Sequence, residues 1–155
     1  MLALVTPGLG GSDRPEPLGL QILSSETVEV VSAKFGLFSF DEGGKVQFVP
    51  TKTVPLSVDQ AYGWIVVLKT NKLKIAWREE FTLPSAPATW GEQPPGGQTV
   101  SPDQKVSVLE REVVLSGGQV ISNVWTVADG DPKGPYVMRL FIENARPILF
   151  EFNVE

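Results

Sequence analysis

Carboxylates are the chemistry this chain has to offer. Its 155 residues include 18 Asp and Glu but no Cys and no His. That excludes thiol and imidazole nucleophiles or bases, and with them the usual zinc, haem and iron–sulfur ligands. Two acids could face one another as in a carboxylate-based hydrolase, for instance Glu79 with Glu110 or Glu112. Spacing in three dimensions decides that chemistry, and the sequence carries none. Asp129-Gly130-Asp131 sets two carboxylates around a glycine, as part of a calcium loop does, but the further oxygen ligands and the closing Glu are missing. A turn in which Asp caps backbone N–H groups and Pro132 fixes the bend accounts for the same residues. No Ser-x-x-Lys or nucleophile-elbow motif occurs, and no Gly-rich loop follows a strand and opens a helix. The residues therefore assign no catalytic group, no metal and no cofactor, and the chain reads as a non-enzyme.

Aromatic side chains are the other candidates. Trp90 lies midway along a Pro/Gly-punctuated stretch, 84–103, long enough to suggest a functional loop if ordered. Its indole either folds back as a lid on the end of the domain or stays exposed as a contact. Trp125 and Tyr136 flank the Asp129–Asp131 loop and belong either to the core and its rim or to a sugar-stacking platform. Trp90, Trp125, Asp129, Asp131 and Tyr136 are thus the candidate ligand or partner contacts.

The elements that must position them follow a period of two. In the closing stretch Tyr136, Met138, Leu140 and Ile142 fall on one side of an extended chain, as do Ile148, Phe150, Phe152 and Val154 after a short turn. Asp41-Glu42-Gly43-Gly44 turns a first hairpin between 27–40, with a break near Ser32 to Lys34, and 45–51. Tyr62 to Leu68 is apolar on both faces, which places it inside a sheet. Leu73, Ile75, Trp77, Phe81 and Leu83 form the apolar face of the next strand, and Glu79 falls among them. A lone buried carboxylate is expensive. Either a bulge moves Glu79 out, or an arginine such as Arg139 or Arg111 meets it, or it is a functional acid. A phase change between Val106/Val108 and Leu109/Val113 predicts a bulge near Val108 to Glu110. Residues 119–127 complete a set of seven or eight strands.

The 15 Gly and 13 Pro fall between these runs, as turn residues do in all-β proteins. The pattern predicts an all-β fold: an immunoglobulin-like antiparallel β-sandwich over 27–155, preceded by an extended arm, 1–26, rich in Pro, Gly and Leu. A net charge of −5 argues against nucleic acid. Lys69, Lys72, Lys74 and Arg78 read as a solvated face. No apolar run is long enough for a membrane helix, and Met1–Gly8 lacks the basic start and long apolar stretch of a signal peptide.

Phe35-Gly36-Leu37-Phe38, Tyr62-Gly63-Trp64, Trp77-Arg78-Glu79-Glu80-Phe81-Thr82-Leu83-Pro84 and Trp90-Gly91 resemble an uncharacterised family of small bacterial β-sandwich proteins. Trp125-Thr126-Val127, Asp131-Pro132, Gly134, Tyr136 and the closing Phe150-Glu151-Phe152-Asn153-Val154 fit the same pattern over residues 27–155. Members are typically exported, so the resemblance implies an extracytoplasmic setting, but it implies no activity. Together these readings predict a non-catalytic interaction module that binds a protein partner, or a second copy of itself, through its loops or arm. A carbohydrate-binding module is the alternative and a hydrolase the third reading.

Overall fold

Apolar residues at every second position commit most of this chain to strands that bury one face, and a second layer is then needed to cover that face. The computed structural model describes residues 27–92, 96–116 and 118–155, and no helix occurs among them. The arm read in residues 1–26 lies outside the described residues. Ten strands follow in order: β1 (Val28–Phe40), β2 (Val46–Pro50), β3 (Thr53–Val54), β4 (Ala61–Thr70), β5 (Lys74–Thr82), β6 (Gln98–Val100), β7 (Val106–Val114), β8 (Val120–Thr126), β9 (Gly134–Ile142) and β10 (Ile148–Val154). They form a four-stranded sheet, β2-β1-β4-β8, facing a six-stranded sheet, β3-β10-β9-β5-β7-β6. All pairings are antiparallel except β3 beside β10.

Alternation predicts seven or eight strands and eight of them are present, with β4 an interior strand as its two apolar faces require. β3 and β6 are additional. At two and three residues they are too short to show a period, and they extend the edges of the larger sheet. The break expected in β1 is a register shift between Val30 and Ser32. The bulge expected in β7 is absent: β7 pairs with β5 without interruption from Lys74↔Val114 to Thr82↔Val106. A polar residue at a core position had disguised the phase. Ser107 is fully buried, with its Oγ accepting from Gln98 Nε2 at 3.1 Å, and Leu109 follows it inward. Val106 and Val108 therefore lie on the outer face.

Between the layers, Tyr62, Trp64, Val66 and Leu68 of β4 meet Ile75, Trp77 and Phe81 of β5 and the inward residues of β9 and β10. Trp64 and Trp77 cross the interface edge to face, 5.1 Å apart at 89°, and Phe35 stacks on Phe152 at 4.0 Å. The lysines of the basic face are partly matched, Lys72 with Glu143 at 3.5 Å in a partly buried pair and Lys74 with Glu112 at 3.1 Å in an exposed pair of small energetic weight. Among the described residues no helix is long and apolar enough to cross a membrane.

Candidate functional site

Among the described residues, Glu79 is the one acid the fold seals completely. Alternation along β5 sends Ile75, Trp77, Glu79 and Phe81 to the inner face, and no bulge diverts Glu79, which is 0% exposed. Neither Arg139 nor Arg111 meets it. Arg139 lies opposite Glu80 in the β5–β9 register, and so it faces outward and approaches Glu80 at 3.8 Å. Arg78 also pairs with Glu80 and sets its guanidinium 4.4 Å from the centre of the Phe141 ring. Arg111 shares the inner face, opposite Trp77, but its Nη1 donates to the carbonyls of Gly96 and Glu110.

Three neutral N–H groups from the opposing sheet take the place of a cation. Trp64 Nε1 donates to Oε2 at 2.6 Å, Asn123 Nδ2 to Oε2 at 3.1 Å, and Trp125 Nε1 to Oε1 at 2.9 Å. The register explains the convergence, because Asn123 lies opposite Trp64, and Trp125 opposite Tyr62, on the inner face of β4 and β8. Gly63 permits the close approach: a Cβ there would overlap the Asn123 carbonyl oxygen. Burial pushes the Glu79 carboxyl above the ordinary range, against the pull of the three hydrogen bonds. Glu110 and Glu112 lie on the opposite, outer face of β7, opposite Arg78 and Ala76. The pairings of Glu79 with Glu110 or Glu112 are therefore not assembled, and Glu79 acts as a tie between the layers.

At the end of the sandwich, residues 83–92 and 127–133 enclose a cleft of about 270 Å³. Trp90 folds back over it, as the lid reading required. Its ring packs edge-on against Phe81 at 5.7 Å and Trp125 at 5.8 Å, and its N–H donates to the Gln104 carbonyl at 2.9 Å. Tyr62 and Phe81 form the floor, Trp90 and Trp125 the walls, and Glu92 and Asp131 the acidic rim. Asp131 Oδ2 accepts the Ala128 N–H at 2.8 Å, and the Asp131 N–H donates to the Ala128 carbonyl at 3.1 Å, so the capped turn is formed. Burial raises the Asp131 carboxyl, and it raises the Tyr62 phenol, with Tyr136 and Asp131 adding to the latter shift.

Of the five candidate contacts, the fold thus brings together Trp90, Trp125 and Asp131. Asp129 is exposed on the turn and does not line the cleft. Tyr136 is a core residue, 1% exposed, and its hydroxyl donates to the Pro132 carbonyl at 2.7 Å, pinning the loop. With Tyr136 buried and Trp90 and Trp125 inclined at 69°, the coplanar platform that sugar stacking requires is not present. Among the described residues no three acids gather as a metal site. Sequence reasoning missed Tyr62, Phe81 and Glu92 as lining residues. The even-numbered face that Tyr62 shares with Trp64 carried only a core signal, and nothing local joins either to Trp125.

The sequence profile of the PM0630 beta sandwich domain matches residues 33–155. Among solved structures, an immunoglobulin-like protein from Pseudomonas aeruginosa is similar, with a TM-score of 0.54 at 16% identity over 85% of this chain and 99% of that one. A mutant β-glucosidase from Listeria innocua, in complex with laminaribiose, aligns with a TM-score of 0.41 at 12% identity, over 84% of this chain and 16% of its own. No curated protein matches the chain in sequence.

Proposed function

This chain belongs to the PM0630 beta sandwich domain family, and on that premise we propose that it is a non-catalytic immunoglobulin-like module that binds a protein partner. The observation that carries the reading is the loop-end cleft, where Trp90 and Trp125, both half-buried, stand beside the Asp131 carboxylate. Tryptophan in a partly desolvated pocket ringed by polar groups is the composition that dominates binding energy at protein interfaces. A non-catalytic role fits the acids: Glu79 is closed to any substrate, and Glu110 and Glu112 lie on the far side of the sheet from it.

Affinity capture with the full-length chain and with Trp90→Ala, from cells that make the protein, tests this reading. A partner held by the wild type and lost by the variant is the expected result. A partner held equally by both, or none held by the wild type, overturns it. Circular dichroism of Trp90→Ala shows whether the sandwich survives the change.

A further inference from the structure

Deepening that reading, and resting on the same cleft, we propose that the group it receives is an alkylated ammonium, the head of a quaternary amine or a methylated lysine. Four aromatic side chains line the space, Tyr62, Phe81, Trp90 and Trp125, together with two carboxylates, Glu92 and Asp131, and neither Lys nor Arg lines it. The electron-rich faces of aromatic rings attract cations, Trp most strongly, and acids without matching bases add to the field.

The ring geometry selects the shape of the guest. Trp90 and Trp125, the two of these rings that keep exposed surface, are inclined at 69° above the buried Tyr62 and Phe81, so they make a corner rather than a flat shelf. The hydrogen-bonding inventory selects its chemistry. Both indole N–H groups are already committed, Trp90 to the Gln104 carbonyl and Trp125 to Glu79. The tryptophans therefore offer π-faces and no donors, which suits a cation that itself needs no hydrogen bond. One Asp131 oxygen holds the Ala128 N–H, and the other has no donor among the described residues. At about 270 Å³ the cleft lies just below the roughly 300 Å³ at which pockets for drug-sized ligands begin, so the guest is small or is one side chain of a larger molecule.

Titration of the full chain with choline and with its neutral carbon analogue 3,3-dimethylbutan-1-ol, followed by tryptophan fluorescence and calorimetry, isolates the charge from the shape. Choline is expected to bind saturably and about tenfold or more tightly than the alcohol, a difference of about 1.4 kcal/mol. Trp90→Ala and Asp131→Asn, which keeps an oxygen for the Ala128 N–H, are each expected to weaken choline several-fold with the fold intact. Equal binding of choline and the alcohol, or a saturable response to neither choline nor a trimethyl-lysine peptide, overturns the proposal. Peptides bearing lysine and trimethyl-lysine identify the source: a preference for the methylated peptide marks a protein-borne group, and binding of choline alone marks a free amine. Both support the cation site. Loss of a captured partner in Trp90→Ala without any cation binding removes this inference and leaves the partner-binding reading standing. Cation binding with no captured partner does the reverse.

Discussion

The four tryptophans form two edge-to-face pairs with different fates. Trp64 and Trp77 cross between β4 and β5 in the middle of the sandwich, and Trp64 has no exposed surface. Trp90 and Trp125 meet in nearly the same relative geometry, yet both stay partly open beside a cleft. Residue type does not separate them. What separates them is support: Trp64 and Trp77 sit on paired strands of facing sheets, whereas Trp90 projects from a loop and is anchored by one hydrogen bond and two ring contacts. Glu79 connects the pairs, taking the N–H of Trp64 on one oxygen and that of Trp125 on the other. The lesson is that a tryptophan stays partly open on a loop, as Trp90 does, or near the end of a paired strand, as Trp125 does in β8, and that the core can still hold it in place from behind.

Removing the sealed pair is the harshest way to break this contrast. Trp64→Ala empties the largest fully buried side chain and orphans one bond to Glu79, so a loss of roughly 3–5 kcal/mol is expected in chemical denaturation. A loss near that of Trp90→Ala would abolish the distinction. Glu79→Leu leaves three donors without their acceptor and is expected to cost about 2–4 kcal/mol by the same measurement. It should also shift the fluorescence of Trp125 in the intact fold.

The proton on Glu79 sharpens the comparison. Its carboxyl is raised in the folded state, so between the unfolded and folded values the native protein binds more protons than the unfolded chain. That contribution is fully present below the unfolded carboxylate range and is lost as pH rises through the folded value. Denaturation midpoints should therefore fall with rising pH over that window. Glu79→Gln should flatten much of the slope; Asp131 is raised in the same direction, and Asp103, lowered by hydrogen bonds from Ser101 and Lys105, contributes with the opposite sign. An unchanged slope in the variant would locate the effect elsewhere.

Smaller effects complete the series. Trp90→Ala, at the open pair, should cost about 1 kcal/mol while altering the cleft. Arg139→Ala removes only a surface contact to Glu80 and should stay within about 0.5 kcal/mol.

Strand positions were legible because they are local: alternation in residues 134–154 or 73–83 names the buried face without reference to any other segment. Glu79 shows where that legibility ends. Its inward direction was readable, but its partners come from β4 and β8, and only the cross-sheet packing brings Trp64, Asn123 and Trp125 to it. Arg139 looked like the natural counterion by charge, and the β9 register carries it to Glu80 instead. Ser107 misled for the opposite reason, a polar residue holding a core position and imitating a bulge. Trp90 and Asp131 were recognisable as candidates from their loops, yet their meeting depends on the fold-back of residues 83–92, which no periodicity encodes.

The placement of β10 has a consequence for biosynthesis. Ile148–Val154 lies between β9 and β3, with Asn153 beside Thr53 and Val154 beside Val54. Among the described residues β3 pairs with no other strand, so on a translating ribosome the segment around Val54 waits until residue 154 has cleared the exit tunnel. The larger sheet therefore closes last, and the edge of β9 stays uncovered until β10 arrives.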